Sequence, residues 1–129
     1  MFFALYDDAT RRLRYVNCGH NPPILVRANG DLERLAATAT VLGLFEEWDC
    51  TVGEYQLASG DVLVIYTDGI SEAGPNEEEE YGEERLIVTT RNHQRQSAGE
   101  ILDNILSEVQ QFSRGRQADD MTLIVASCS

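Results

Sequence analysis

In the first half of the chain, apolar and polar residues alternate over short segments that turn residues separate. Alternation of this kind between turns is typical of β-strands. Asn29-Gly30 is a hairpin signal and predicts that the strands on either side of it pair. Ser59-Gly60 separates a second predicted strand pair. The pattern predicts strands at these positions: Phe2–Tyr6, Leu13–Asn17, Ile24–Val26, Leu32–Leu35, Val41–Phe45, Thr51–Leu57 and Asp61–Thr67.

The second half of the chain has a helical pattern. Ser97, followed three positions later by Glu100, forms a capping box that marks a helix start. A helical pattern also covers Glu83–Arg91, and a final apolar run predicts a strand at Leu123–Val125. Antiparallel strand pairs followed by helices predict one α+β domain over residues 1–129. After the capping box, one face of the predicted helix carries the apolar residues Ile101, Leu102, Ile105, Leu106, Val109 and Phe112.

Two runs, 62–66 and 123–126, are apolar at consecutive positions, so both faces of these strands are expected to be covered. Asp68 follows the first run, and Asp119-Asp120 precedes the second. If the strands are antiparallel neighbours, these carboxylates meet at one edge of the sheet. No His or Cys accompanies them, so the pattern favours Mg²⁺ or Mn²⁺ over Zn²⁺.

Each of these motifs has a plainer interpretation. An Asp-Gly after a strand is often only a turn, and paired aspartates can mark an exposed strand entry. Two details favour a functional role: Thr67 and Asp68 follow a buried strand, where polar residues need hydrogen-bond partners, and Gly69 permits a close backbone approach. His20 is expected to be structural, and the run Glu77–Glu80 to be solvated surface, because it lacks the spaced ligands of a calcium loop.

Composition excludes several classes of partner. The net charge is −12 and only ten Lys and Arg residues are present, which argues against nucleic-acid binding. No apolar run is long enough for a membrane span and no signal peptide is visible, so a cytoplasmic location without membrane contact is expected. Cys18, Cys50 and Cys128 are odd in number and scattered, which argues against disulfides and Cys-based zinc sites and fits a reducing compartment.

Seven segments together resemble the metal-dependent protein phosphatases of the type 2C (PPM) class, in the bacterial branch typified by SpoIIE and RsbU. The resemblance covers nearly the whole chain in order. The segments are Phe2-Phe3-Ala4, Asn17-Cys18-Gly19-His20-Asn21-Pro22-Pro23, Leu42-Gly43-Leu44, Ser59-Gly60-Asp61, Tyr66-Thr67-Asp68-Gly69-Ile70-Ser71-Glu72-Ala73, Tyr81-Gly82-Glu83-Glu84-Arg85-Leu86 and Asp119-Asp120-Met121-Thr122-Leu123-Ile124-Val125.

The resemblance implies a β-sandwich flanked by helices, with two Mn²⁺ or Mg²⁺ ions at one edge of the sheets. A metal-bridging water then attacks the phosphorus of a phosphoserine or phosphothreonine protein, and no side chain acts catalytically apart from the metal centre. By position, Asp68 and Asp119 resemble metal ligands, and Asp120 a neighbouring or alternative ligand. Thr67, Gly69, Gly19 and His20 are expected in loops adjacent to the metals. Gly19 and His20 match a loop of the family that is expected to shape the structure and not to perform chemistry.

The chain departs from this family at its start. Family members carry an upstream Gly-Asp-x-x-Asp-like motif whose aspartate bridges both metals. The Gly-Asp pairs here, Gly30-Asp31 and Gly60-Asp61, fall in predicted turns. We therefore expect the chain to be the C-terminal part of a phosphatase domain, inactive or nearly so alone. Missing strands would leave sheet edges uncovered and favour self-association.

Three hypotheses follow for the function. The first is a serine/threonine phosphatase portion acting on a regulatory phosphoprotein; the resemblance implies a STAS-type anti-sigma-factor antagonist. The second is a non-catalytic regulatory or interaction module that retains the phosphatase scaffold. The third is an acidic α+β domain without metal, which leaves the ordered family-like segments unexplained.

Overall fold

Two antiparallel sheets and two long helices make up the described part of the chain. The computed structural model describes residues 1–39, 51–117 and 119–129. The α+β prediction is confirmed. The predicted strand Val41–Phe45, the Leu42-Gly43-Leu44 motif and Cys50 lie outside the described residues. The elements are β1 Phe2–Asp7, β2 Arg12–Asn17, β3 Ile24–Val26, β4 Leu32–Arg34, β5 Gly53–Gln56, β6 Val62–Tyr66, α1 Asp68–Ser71, α2 Gly82–His93, α3 Ala98–Ser113 and β7 Leu123–Ser127.

The strands form a three-stranded sheet, in the order β1-β2-β5, and a four-stranded sheet, in the order β4-β3-β6-β7. The predicted hairpin is confirmed, since β3 and β4 are antiparallel and Gly30 has a φ of 92° in the turn between them. The predicted pairing of β6 with β7 is also confirmed: they are antiparallel, with Tyr66 opposite Leu123. The end of β6 therefore lies beside the start of β7.

The second predicted strand pair is wrong, because β5 and β6 belong to different sheets. β5 pairs with β2, whereas β6 pairs with β3 and β7. The turn between β5 and β6 carries the chain from one sheet to the other, and the buried Asp61 holds it. The Asp61 carboxylate accepts hydrogen bonds from the backbone N–H groups of Ala58, at 2.8 Å, and Ala28, at 2.9 Å. A turn dipeptide indicates a reversal of the chain but not which strands pair.

The four-stranded sheet is the middle layer. Its β3 and β6 pack against α2 and α3 on one face, and against residues of the three-stranded sheet such as Leu13 and Tyr15 on the other. The predicted α3 stripe is confirmed, with Ile101, Ile105 and Val109 at most 1% exposed. Burial of each such side chain contributes roughly 1.5–3 kcal/mol. Ser97 caps α3 as expected, since its side chain accepts a hydrogen bond from the Glu100 N–H at 3.2 Å.

The expectation that both faces of the two apolar strands are covered holds for β6 but is wrong for β7. Ile124 is 51% exposed. Ile124 pairs with Ile65, and directly opposed residues point to the same face. Ile65 packs against the cluster that includes Leu13 and Tyr15, so this face points toward the three-stranded sheet. That sheet covers Ile65 and leaves half of Ile124 open.

The helices and the cysteines bear on the expected cellular location of the chain. Within residues 1–39, 51–117 and 119–129, no helix is both long and apolar enough to cross a membrane. Of the cysteines in these ranges, Cys18 is buried and Cys128 half-buried, and both are free thiols.

Candidate metal centre

Two hydrogen bonds between Thr67 and Thr122 fix the end of β6 to the segment that leads into β7. The Thr67 N–H donates to the carbonyl oxygen of Thr122 at 3.2 Å, and the Thr122 N–H donates to the Thr67 hydroxyl oxygen at 3.1 Å. Thr67 is the N-cap residue of α1, but its side chain does not cap that helix. The partner that Thr67 was predicted to need is therefore Thr122, and this pair brings the two aspartate motifs together.

Gly69 makes the close backbone approach that its sequence context predicted. A Cβ atom at this position would collide with the carbonyl oxygen of Asp120 and lie 3.1 Å from the Cα of Met121. Gly69 is buried, so a side chain has no other space nearby. The absence of a side chain allows α1 to pack directly on the Asp119–Met121 segment.

The aspartates lie at this same edge and are exposed. Asp68 is the first residue of α1, and its Oδ1 accepts a hydrogen bond from the side-chain amide of Asn21. The Asp119 Oδ1 accepts from the backbone N–H of Asp120 at 2.8 Å. Asp119 also lines a cleft of about 220 Å³ together with Gly69 and Glu72. The sequence thus predicted the edge at which these aspartates lie.

The donors of this edge fit a hard cation in kind, because they are carboxylate oxygens without His or Cys. Mg²⁺ is commonly held by one or two carboxylates and several waters. However, among the residues that the structure describes, no three His, Cys, Asp or Glu side chains are grouped so that they could hold a metal ion. The predicted three-carboxylate group is therefore not formed. Each of the two carboxylates has one oxygen in a hydrogen bond, Asp68 with the Asn21 amide and Asp119 with the Asp120 backbone N–H.

The residue just before this edge, Tyr66, is a neutral phenol. Burial raises the pKa of Tyr66 above its usual value, and the negative charge of Glu83 raises it further. Glu83 itself pairs with Arg34, whose Nε lies 2.6 Å from the carboxylate. Because the Tyr66 phenol stays protonated, it adds no negative charge beside Asp68.

The loop between β2 and β3 holds the other predicted site residues. Gly19 has a φ of 80°, and the His20 N–H donates to the Asn17 side-chain oxygen at 2.9 Å. This supports a shaping role for both residues. Asn21, directly after His20, was not predicted as a site residue, yet its side chain reaches Asp68. A local signal was present, since Asn21 is a polar residue immediately before Pro22-Pro23.

Comparison with known proteins identifies the family. The model of the family described as stage II sporulation protein E (SpoIIE) matches residues 1–129. Protein IcfG of Synechocystis sp. is 32% identical over 126 residues, covering 96% of this chain and 20% of that protein. Phosphoserine phosphatase RsbU of Bacillus subtilis is 28% identical over 128 residues, covering 97% of this chain and 37% of that protein. The chain thus spans well under half the length of these relatives.

Solved structures show the same fold. The SiaA-PP2C domain of Pseudomonas aeruginosa superposes with a TM-score of 0.83 at 20% identity, covering 99% of this chain and 51% of that chain. The PP2C phosphatase domain of SpoIIE from Bacillus subtilis gives 0.79 at 24% identity, covering 97% and 36%. The catalytic domain of the serine/threonine protein phosphatase PstP, solved with two manganese ions, gives 0.61 at 18% identity, covering 96% and 56%. By its sequence and its fold, the chain belongs to the SpoIIE family of PP2C-type phosphatase domains.

Proposed function

We propose that this chain supplies one part of a metal-dependent protein serine/threonine phosphatase centre. The observation that carries the proposal is the joined edge at which Thr67 and Thr122 pair and Gly69 packs on Asp120. The match of the family model to residues 1–129 gives that edge its chemical interpretation. The substrate class is a phosphoserine or phosphothreonine protein, and the relative named phosphoserine phosphatase RsbU supports this choice. A STAS-type anti-sigma-factor antagonist is the substrate we infer from the family resemblance.

In this proposal the residues at the joined edge of β6 and β7 have different roles. Asp68 and Asp119 hold Mn²⁺ or Mg²⁺, and Asp120 acts as an alternative ligand. The Thr67–Thr122 pair fixes the spacing between the two ligands, and Gly69 lets the two segments approach. When bound, a metal pair supplies positive charge that lowers the pKa of a water and neutralises phosphoryl oxygens.

Further ligands would come from the parts of the similar solved structures that this chain does not cover. The chain covers 51% of the SiaA structure, 36% of the SpoIIE structure and 56% of the structure that holds two manganese ions. A centre that shares ligands with another segment is also consistent with the carboxylate geometry, since the described side chains form no group of three. We therefore expect weak Mn²⁺ binding and little or no hydrolysis by residues 1–129 alone.

Replacing the proposed ligands tests the metal assignment. In Asp68→Asn and Asp119→Asn, one carboxylate charge is lost at nearly constant size, so the Mn²⁺ dissociation constant should rise more than about tenfold. Isothermal titration calorimetry of the 129-residue chain with MnCl₂ measures it. Asp103→Asn, at an exposed position of α3, is the matched control and should leave the constant unchanged. Equal affinities for the wild type and all three variants would refute the assignment.

Hydrolysis is a separate readout. With a phosphoserine protein as substrate and Mn²⁺ present, the 129-residue chain is expected to release little or no phosphate. Robust Mn²⁺-dependent hydrolysis by this chain, lost in Asp68→Asn, would confirm the ligand and overturn the expected inactivity.

Self-association is a further expectation of an open sheet surface. Phe3 and Leu5 lie on one face of β1 and are 56% and 55% exposed. Among the described strands, β1 forms one edge of its sheet. Exposed apolar edge strands tend to pair with other chains. We expect Phe3→Lys combined with Leu5→Lys to shift the chain toward monomer in light scattering coupled to size-exclusion chromatography.

The control for self-association is Val88→Lys, which changes a residue of α2 that is also exposed, at 54%. It should leave the distribution of species unchanged. A wild-type chain that is monomeric at all concentrations tested would contradict the expectation.

A non-catalytic interaction module is the second candidate function. The observation that favours it is the lack of a three-residue metal group within the described ranges. This candidate predicts partner binding that is insensitive to a chelator and to Asp119→Ala. The phosphatase proposal predicts that both treatments weaken the interaction with a phosphorylated substrate.

A further inference from the structure

The loop between β2 and β3 reaches across to α1 at the carboxylate edge. Its Asn21 lies 47 positions before Asp68, yet the Asn21 side-chain amide donates a hydrogen bond to the Asp68 Oδ1. We propose that Asn21 is a positioning residue that orients the Asp68 carboxylate toward a hard divalent cation. The inference rests on the proposed function, since it takes Asp68 to be a metal ligand.

The chemistry of the contact suits this role. An amide N–H occupies a lone pair of Oδ1 and restricts rotation of the carboxylate, which leaves Oδ2 available. Metal-ligating carboxylates in proteins are themselves hydrogen-bonded, and these outer partners determine how the ligand is presented. Asp68 is exposed at the start of a four-residue helix. Without the amide, its side chain would sample several rotamers in water.

Asn21 can orient Asp68 only if Asn21 itself is held. The His20 Nδ1 lies 2.7 Å from the carbonyl oxygen of Asn21, so the Nδ1–H of the imidazole donates to that carbonyl. The His20 ring also packs against Phe2, with ring centroids 6.1 Å apart. Pro22 follows Asn21 and restricts its backbone to extended conformations. The chain on both sides of Asn21 is therefore constrained.

The hydrogen bonds continue to a buried anchor, Asn17, which is fully buried at the end of β2. Its side-chain oxygen accepts from the His20 N–H at 2.9 Å, and its side-chain amide donates to the carbonyl oxygen of Leu35 at 3.0 Å. Its backbone N–H donates to the Thr38 hydroxyl oxygen at 3.0 Å. Fully satisfied buried polar groups of this kind are rigid. Asn17, His20 and Asn21 thus form a connected path from the core of the sandwich to Asp68.

Because the Asn21–Asp68 hydrogen bond is exposed, a positioning role of Asn21 can be distinguished from a role in stability. The Asn21–Asp68 hydrogen bond is exposed, and exposed polar contacts contribute little to stability. Its loss should therefore leave the fold intact and change how the carboxylate is presented. Metal affinity and the spectrum of the bound ion report that change, whereas the melting temperature does not.

The test replaces Asn21 with leucine, which has a similar size and no donor. The Mn²⁺ dissociation constant of the 129-residue chain is measured by electron paramagnetic resonance, with the spectrum of bound Mn²⁺ and the melting temperature recorded on the same samples. For Asn21→Leu we expect the constant to rise about 10- to 100-fold and the bound spectrum to change. The melting temperature should move by no more than about 4 °C.

Two variants make the comparison specific. Asn104→Leu removes another side-chain amide, on α3, whose exposed hydrogen bond to the Gln96 side-chain oxygen is 2.9 Å long, and should leave the dissociation constant unchanged. Asn21→Gln keeps an amide donor and should regain part of the lost affinity. An Asn21→Gln chain that binds Mn²⁺ as weakly as Asn21→Leu would show that the donor is not the cause and would overturn the inference.

The outcomes also distinguish the positioning role of Asn21 from the assignment of Asp68 as a metal ligand. If Asp68→Asn weakens Mn²⁺ binding and Asn21→Leu does not, the positioning role is refuted and the metal assignment stands. If the wild type binds no more tightly than Asp68→Asn, the metal assignment fails and the positioning role fails with it.

Discussion

Gly69→Ala is expected to destabilise the chain by about 3 kcal/mol, at the upper end of the cost of inserting a methyl group into packed structure. The new Cβ would collide with the carbonyl oxygen of Asp120, a backbone atom that cannot move away as a side chain can. Relief requires α1 or the Asp119–Met121 segment to shift. Because the shift separates the two proposed ligand segments, Mn²⁺ affinity should fall as well. Urea unfolding and Mn²⁺ titration of the same preparation measure the two effects.

The control is the same substitution where a methyl group has space. Around Gly99, near the start of α3, no atom beyond its chain neighbours and the adjacent helix backbone lies within 4 Å of an added Cβ. Alanine favours a helix over glycine by up to about 1 kcal/mol, so Gly99→Ala should stabilise the chain slightly. Equal and small effects of the two substitutions would mean that α1 does not press on Asp120.

Asp61→Ala is expected to cost about 3–5 kcal/mol, the range for removing one partner of a buried ion pair. Asp61 is 2% exposed, and its carboxylate accepts from Arg27 at 2.8 Å and from the N–H groups of Ala28 and Ala58. Alanine removes the acceptor of the Ala28 and Ala58 N–H groups and the most buried of the acceptors of the Arg27 guanidinium. The Arg27 guanidinium also donates to the carbonyl oxygen of Gln56 at 2.7 Å, which links the four-stranded sheet to β5 of the other sheet. The loss should appear in urea unfolding monitored by circular dichroism.

Burial and charge act in opposite directions on Arg27. Burial alone lowers its pKa, while the hydrogen bonds to Asp61 and Glu33 raise it, so the pKa lies above its usual value.

Asp31→Ala is the matched control for Asp61→Ala, because Asp31 is an exposed aspartate of the β3–β4 turn and its loss should cost less than about 1 kcal/mol. A cost for Asp61→Ala as small as that of Asp31→Ala would show that Arg27 holds the turn without it.

The sequence predicted those parts of the fold that depend on local patterns. The Asn29-Gly30 hairpin and the Ser97 cap each depend on a few adjacent residues, and both are confirmed. Pairing between distant strands was harder to predict. Ser59-Gly60 has the composition of a hairpin turn, yet this turn leads from one sheet to the other and is held by the buried Asp61. Exposure of Ile124 depends on how far the opposite sheet extends, which no local pattern encodes.

In the candidate site, too, the features that depend on local sequence were predicted and those that depend on tertiary packing were not. Asp68 and Asp119 flank two apolar runs, so the strand pattern was enough to place them at one edge. The contact between Asn21 and Asp68 spans 47 positions and two different connections, and it follows from the packing of the β2–β3 loop on α1. Which partner each carboxylate contacts, the Asn21 amide for Asp68 and the backbone N–H of Asp120 for Asp119, is seen only in the folded chain.

The location of β7 has a thermodynamic consequence. Among the described strands, β7 is an edge strand that pairs with β6, and edge strands open locally at a lower free energy than central ones. Asp119 lies on the segment that leads into β7, so each opening of the strand would remove that carboxylate from the edge. A cation held there must suppress the opening by the same free energy with which the opening weakens its binding. The last strand of the chain would then be a reporter of site occupancy, through the exchange rates of its own amide hydrogens.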